Sequence, residues 1–336
     1  MPVSKKIKIL FTSAVPITDF VKTDLELLQR NFDVRAFHWK GEKNALRMVK
    51  GILWADLTFS WFADTPAFLV VLFSKMLGKK SIVVASGYSV VNMPEIRYGL
   101  MRSPISASKV KFILKNSDKV LAVSEFNKKE ILKYTNSRNV ELIYHGVDYN
   151  RFRPKGEKEN IAITVGSINK INIKRKGIET FVKAARYLPD RKFVVIGGYK
   201  HESLQYLKSF ATPNVEFTGF LSDDELLKYY QKAKVYVQVS AHEAFGLSLA
   251  EAMLCECVPV VTDRAAIPEV VGDTGFYVPY DDPKATAKAV KKALRSDKGK
   301  EARRRIKNKF PLEKREEELV RIIRKITKET DYAFCV

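Results

Sequence analysis

Apolar residues in this chain gather in short runs, and between the runs apolar positions recur every three to four residues. In the first half the runs cover 7–13, 33–38, 56–60, 81–85, 119–123 and 140–144. The helical spacing covers 19–30, 43–53, 66–77, 105–117 and 125–134. Runs this short, rich in Val, Ile and Leu, predict strands buried on both faces, and the spaced stretches predict amphipathic helices. Regular alternation of the two predicts parallel sheets covered by helices. Residues 145–159 (HGVDYNRFRPKGEKE) break the rhythm; they are polar, carry Gly146, Pro154 and Gly156, and read as a linker. The rhythm then restarts, with strands over 161–165, 193–196, 215–218, 235–239, 258–262 and 275–278. Helices follow over 176–188, 201–210, 223–233, 247–256 and 283–295, with two charged ones over 299–309 and 312–328. The fold class is α/β: two doubly wound domains joined by a hinge, with strand-end crevices facing a cleft that suits a ligand.

Composition narrows the function. The 336 residues are enough for two cores, and 46% hydrophobic with 11% aromatic content excludes wholesale disorder. Three cysteines (Cys255, Cys257, Cys335) are too few for a disulfide scaffold or a four-thiolate zinc site. The longest apolar run, 67–73, is far short of the roughly 18 residues of a membrane span. The basic, then apolar start over 5–16 has the outline of a signal peptide, but Thr12 and Ser13 interrupt it. It reads better as a buried strand, which points to a cytoplasmic protein.

The formal charge is +21, of which residues 1–150 hold 23 − 13 = +10 and the remainder 36 − 25 = +11. An excess spread over both halves fits two readings. One is a thermophile-style surface, with four Gln against many Lys and Glu. The other is an anionic partner, phosphate groups or an acidic membrane surface. Nucleic acid is not expected, because no helix-turn-helix, zinc-finger or aromatic RNP pattern accompanies the charge.

Two segments carry candidate chemistry. In SAHEAFGLSLAEAMLCECVPVV (240–261), Glu243 and Glu251 stand eight apart, and Gly246, Leu247 and Ser248 lie where a helix begins. A helix start offers backbone N–H groups and a positive dipole end to anions, phosphate above all. A surface Glu capping an ordinary helix is the plain alternative. In VGSINKINIKRKG (165–177), Gly166 ends a strand and Lys170, Lys174, Arg175 and Lys176 follow; a solvated basic loop competes with a phosphate site. No Walker A or G-x-G-x-x-G pattern is present, which argues against an ATPase or a dehydrogenase. His145 and His242 fall in loops, where a sugar contact and plain solvation both fit. Cys255 and Cys257 read as inert buried thiols, Arg303–Arg305 as a solvated or lipid-facing patch, and Trp54, Trp61 and Phe62 as core.

Taken together, these motifs resemble the family-four glycosyltransferases, retaining enzymes of the GT-B fold with two Rossmann-like domains. The resemblance rests on the E-x7-E segment with Phe-Gly-Leu and EAM, PVV (259–261), IPEVVGDTGFYVPYDDP (267–283) and RKG (175–177). It also rests on TGFLSDDELLKYYQKAKVYV (218–237), SDKVLAVSEFNKKEIL (117–132) and HGVDYNRFRP (145–154). It implies an acceptor-side domain over 1–150, a donor domain over 151–310 and a C-terminal helix, 311–336, crossing back to the first domain.

By resemblance, Glu251 would hold the donor ribose, and Glu243 with the backbone of Phe245, Gly246 and Leu247 the transferred sugar and phosphate oxygens. Lys176 would neutralise the diphosphate, and Gly219, Phe220 and Leu221 would line the base pocket. The implied donor is a nucleoside-diphosphate sugar, used as substrate, with no cofactor and no metal. The implied activity is transfer of a hexose to an unidentified acceptor, lipid-linked or phosphorylated, with contact to an anionic membrane face as a further expectation from the charge. A catalytically weak nucleotide-sugar binder and a sugar-nucleotide epimerase are the alternatives. The chain departs from the family in three loops: Gly166–Ser167 stands for Gly-Arg, SAVPITDF (13–20) lacks the usual glycines, and Ser86–Gly87 stands for His-Gly.

Overall fold

The short apolar runs form two parallel sheets of six strands each. The computed structural model describes residues 6–14, 18–39 and 45–333. Cys335, residues 15–17 of the SAVPITDF loop and the first two positions of the helix expected over 43–53 lie outside them. The chain divides into two compact units, Met1–Tyr144 with Glu313–Val336, and His145–Leu312.

In the first unit, chain order is β1 (Lys8–Ala14), α1 (Asp19–Asn31), β2 (Asp33–Trp39), α2 (Ala45–Trp54), β3 (Leu57–Trp61) and α3 (Thr65–Met76). Then come β4 (Lys80–Val84), α4 (Gly87–Val90), α5 (Pro104–Asn116), β5 (Lys119–Ala122), α6 (Glu125–Leu132) and β6 (Val140–Leu142). The sheet order is β2-β1-β3-β4-β5-β6, every pairing parallel. Helices cover it: Ala67 and Val71 of α3 and Val110 and Ile113 of α5 pack with Val83 and Val120. Each buried Val or Ile among them contributes roughly 1.5–3 kcal/mol. Of the aromatics expected in this core, Trp61 is buried, whereas Trp54 and Phe62 are half-buried, Trp54 under the Arg35 guanidinium at 4.0 Å.

The second unit runs β7 (Glu159–Val165), α7 (Lys170–Arg175), α8 (Ile178–Ala184), β8 (Lys192–Ile196), α9 (His201–Lys208) and β9 (Val215–Gly219). It continues with α10 (Asp223–Lys232), β10 (Ala233–Gln238), α11 (Leu247–Leu254), β11 (Val258–Thr262) and α12 (Ile267–Val271). It closes with β12 (Phe276–Val278), α13 (Pro283–Ala293) and α14 (Lys298–Lys309). Its order, β12-β11-β10-β7-β8-β9, is again wholly parallel. The strand order changes direction between β10 and β7, which is where sheets of this kind bind ligands.

The last helix, α15 (Leu312–Ala333), returns to the first unit with Leu319, Ile322, Ile323 and Ile326 buried. Arg315 fastens it. Its Nε and Nη2 donate to Asp24 Oδ1 and Oδ2 at 2.6 and 2.7 Å, and its Nη1 to the carbonyls of Ile143 and Tyr144. Trp61 Nε1 donates to the same Asp24 at 3.0 Å. A buried pair is tolerable only when its hydrogen bonds are met in this way.

Several expectations are corrected. The unit boundary follows Tyr144, not residue 150, because His145 and Val147 are buried in the second unit. The His145 ring meets Phe245 edge-on at 5.4 Å, and Val147 N donates to the Phe310 carbonyl. The basic stretch read as a loop holds a helical turn, α7, because Asn169 Oδ1 accepts from Ile171 N and Asn172 N. The helix expected from 176 begins at Ile178. Of the 303–305 stretch, Arg304 is exposed, whereas Arg303 and Arg305 are half-buried and tied to the protein: Arg303 Nη1 donates to the Phe152 and Leu254 carbonyls, and Arg305 to those of Val270 and Glu269. Cys255 and Cys257 are fully buried, and burial pushes the Cys255 thiol up to about 12. Among the described residues no helix is long and apolar enough to cross a membrane, and no cluster of metal-ligating side chains forms.

Candidate active site

The loops that leave β7 and β10 meet at the change of strand direction. The loop after β7 passes Gly166 and turns through α7 to Lys176 and Gly177. A Cβ at Gly166 would lie 2.5 Å from Lys176 Cδ, so only glycine lets the lysine stem cross the strand end. Gly177 has φ 68°, and a Cβ there would lie 2.1 Å from the Val239 carbonyl oxygen, so α8 starts hard against the end of β10. Ala241 N closes the join by donating to the Arg175 carbonyl at 2.7 Å.

Glu243 is the centre of the resulting cluster. Its Oε1 lies 3.3 Å from Arg175 Nη1 and 3.5 Å from Lys176 Nζ, and accepts from Ser240 Oγ at 3.4 Å. Arg175 is aimed by Asn172 Oδ1, which takes its Nε and Nη2, and by the His242 carbonyl, which takes Nη1. Lys176 Nζ also donates to the Val165 carbonyl at 3.3 Å. Burial favours the neutral form of Glu243, yet Lys176 and Arg175 outweigh it and hold the carboxyl below the usual range. Burial lowers the Lys176 ammonium below the usual lysine range despite Glu243. Two cations face Glu243 directly, and the Glu251 carboxylate also lies within electrostatic reach of Lys176.

Helix α11 begins beside it. Gly246 precedes its first turn with φ 103°, and the N–H groups of Leu247 and Ser248 lie before the first intrahelical acceptor. Ser248 Oγ is 2.9 Å from Tyr236 Oη, so its side chain faces the sheet and only its backbone faces the helix start. Glu251 lies one turn on, at i+4 from Leu247 and i+3 from Ser248, which places it along the same helix face. Its Oε2 accepts from Tyr230 Oη at 3.1 Å. Phe245 is buried between His145 and Phe310, so it contributes backbone alone. His242 is 5% exposed, which overturns solvation as its reading.

The remaining expected residues separate. Gly219 ends β9, and its carbonyl accepts from Gly197 N. Phe220 beyond it is 84% exposed and Leu221 half-buried, leaving an aromatic face beside the glycine pair that ends β8. Lys170 is exposed at the start of α7, and Lys174 pairs with Glu179 at 2.9 Å. Of the four basic residues only Arg175 and Lys176 reach Glu243 among the described residues. Ser86 and Gly87 lie in the first unit, at the carboxyl end of β4. Sequence reasoning missed Asn172, Ser240 and Tyr230. No local signal marks a tyrosine that will meet Glu251.

Residues 148–310 match the family described as glycosyl transferases group 1. The match spans just under half of the chain. It contains Arg175, Lys176, Glu243 and Glu251 and all of α11. The chain is 31% identical over 192 residues to the O-antigen chain mannosyltransferase RfbU of Salmonella typhimurium. That alignment covers 54% of this chain and 53% of RfbU. It is 30% identical over 222 residues to the capsular polysaccharide biosynthesis glycosyltransferase CapM of Staphylococcus aureus, covering 61% of this chain and 57% of CapM. Against the serotype-specific mannosyltransferase WbdA of Escherichia coli it is 26% identical over 188 residues, 49% of this chain and 23% of WbdA. The chain thus spans from about a quarter to just over half the length of these curated relatives. The fold is shared with sucrose-phosphate synthase (tll1590) from Thermosynechococcus elongatus: TM-score 0.80 at 18% identity, over 96% of this chain and 100% of that one. It is shared too with Anabaena Alr3699/HepE, a structure with UDP and glucose: TM-score 0.79 at 14% identity, over 94% and 99%. The unit that holds the matched segment and the unit that α15 completes are the two doubly wound units of the GT-B fold.

Proposed function

We propose that this chain transfers a hexose-type sugar from a nucleoside-diphosphate sugar to a hydroxyl of an acceptor, with retention at the transferred carbon. The observation that carries the reading is the Arg175–Lys176–Glu243 cluster beside the start of α11, inside the segment that matches the glycosyl transferase family. Breaking the bond to a diphosphate leaves negative charge on the departing oxygens. A fixed ammonium, a guanidinium and helix N–H groups answer that charge, each such donor contributing roughly 3–4 kcal/mol to the transition state. Arg175 takes the place of the Arg absent after Gly166, since its guanidinium reaches Glu243 while Lys170 and Lys174 do not.

In this reading the diphosphate takes over the cations that Glu243 now holds, and Glu243, with Ser240 behind it, turns to the sugar hydroxyls. Glu251, held by Tyr230, takes the ribose hydroxyls, and the exposed ring of Phe220 offers a stacking face for the base. The family relatives named for mannose and the neighbour crystallised with UDP support GDP-mannose and UDP-glucose as the first donors to try.

A thermal-shift panel of nucleoside diphosphates and their sugars tests the reading. A donor at about 100 times its dissociation constant should add about 2.7 kcal/mol of stability. The shift should vanish in Lys176→Ala and Glu251→Gln while the fold persists. Release of the nucleoside diphosphate on incubation separates a transferase from a protein that only binds. If both variants bind donors normally, the site assignment fails.

A further inference from the structure

The exposed ring of Phe220 has a neighbour. Tyr199 follows the glycine pair that ends β8, and it is 51% exposed. Its backbone is fixed on both sides. Ile168 N donates to the Gly198 carbonyl at 2.8 Å, and Lys200 N donates to the Ile168 carbonyl at 2.9 Å. Tyr199 and Ile168 thereby form a parallel bridge, and Ile168 lies on the loop that leads from β7 into α7. The stretch that carries Tyr199 is thus tied directly to the one that carries Arg175 and Lys176.

Two glycines bring the rings together. A Cβ on Gly219, at the end of β9, would lie 3.5 Å from Tyr199 Cε1, so the tyrosine ring rests over that strand end. A Cβ on Gly198 would lie 3.8 Å from Phe220 Cβ, so the phenylalanine stands against the end of β8. Gly197 N, donating to the Gly219 carbonyl at 3.0 Å, holds the two strand ends to each other. A single exposed ring is ordinary, but two together at the ligand-binding end of a sheet form a stacking surface. Neighbouring strands lie about 4.8 Å apart and β9 stands two strands from β7, which puts the rings roughly 10 Å across the sheet from the strand end that Lys176 crosses. A ribosyl phosphate bridges a gap of that order, with a diphosphate at one end and a base at the other.

We propose that Tyr199 is a base-recognising residue, its ring stacking on the nucleobase of the donor beside Phe220. This rests on the transferase reading and adds a residue to it. Arg175 and Lys176 answer charge, and a base carries none, so they cannot hold that end of the donor. An aromatic ring can, because every base presents a π-face. The bridge to Ile168 and the contact with Gly219 order Tyr199 before a ligand arrives, which lowers the cost of stacking.

The test titrates the full chain calorimetrically with GDP, UDP and inorganic pyrophosphate, the last carrying charge without a base. Tyr199→Ala should weaken the tighter nucleoside diphosphate about tenfold and leave pyrophosphate within about twofold of the parent. Tyr199→Phe keeps the ring and should bind all three as the parent does. Tyr199 lies at the surface, so both variants should melt as the parent does. The proposal falls if Tyr199→Ala binds the nucleoside diphosphate as the parent does, or if pyrophosphate weakens in step with it. It falls too if Tyr199→Phe loses as much as Tyr199→Ala, or if the parent prefers neither nucleoside diphosphate to pyrophosphate. A parent that binds none of the three overturns the transferase reading itself, whereas nucleoside-diphosphate binding that ignores Tyr199 overturns this assignment alone.

Discussion

At the carboxyl edge of the second unit's sheet, a guanidinium and an ammonium lie within 3.5 Å of one carboxylate, and a helix start stands beside them. At the carboxyl edge of the first unit's sheet the groups are hydroxyls, aromatic rings and one carboxylate: Ser13 against His38, Thr12 against Ser60, then Asp64, Ser86 and Tyr88. Both edges top six parallel strands at a change of strand direction, although the strand orders differ. The architecture thus settles where a ligand can sit, and the side chains settle which ligand. One edge is built to answer phosphate charge. The other is built from hydroxyls, rings and a carboxylate.

The largest expected effect bears on the first unit alone. Arg315→Ala strands the Asp24 carboxylate and should cost about 3–5 kcal/mol in urea unfolding. If the two units are as separate in stability as in chemistry, the second should still bind nucleoside diphosphates. Second, Lys176→Ala should weaken binding of the diphosphate by about 100-fold, roughly 3 kcal/mol, as read by calorimetry. A loss under threefold would mean that the cluster is an internal ion pair and the edges differ less than they look. Third, Glu243→Gln should separate binding from transfer. Freed cations should bind the bare diphosphate at least as tightly as before, while sugar transfer drops by two orders of magnitude or more, roughly 3 kcal/mol.

A smaller effect follows from the lowered Lys176 ammonium. Phosphate binding needs the charged form, so affinity should fall as pH rises, beginning below the titration range of an ordinary lysine. Lys176→Arg should keep its charge there and remove the fall. The smallest effect concerns Asp64. Its native carboxyl, at about 6, lies above the ordinary 3.8, so the native state holds the extra proton between those values. Its contribution to stability is present below pH 3.8 and lost as pH rises through about 6. Relative to Asp64→Asn, the parent should lose on the order of 2–3 kcal/mol across that window in chemical denaturation.

Much of the fold was legible because periodicity is a local property. Strand β11, expected over 258–262, is Val258–Thr262, and all five of its positions are buried. Helix α10 was equally plain: Ser222 and Glu225 cap its start reciprocally, a pattern written within four residues. Short elements escaped, since α4 and α12 span about one turn and show no period. The candidate site was legible as a set of residue types, Glu243, Glu251 and the basic stretch, but not as a set of partners. Nothing local says that Arg175 turns to Glu243 while Lys174, one residue earlier, turns to Glu179.

Sequence alone therefore determined the alternation of strands and helices, the two-unit plan and the segments that carry charge, since each depends on neighbours along the chain. Tertiary structure alone decided the pairings: Arg315 with Asp24 across 291 positions, Tyr230 with Glu251, and the half-sealed carboxyl of Asp64. The reason is physical. Burial and the approach of an opposite charge arise where distant segments pack, and those two influences set both the strength of an ion pair and the proton affinity of a carboxyl group.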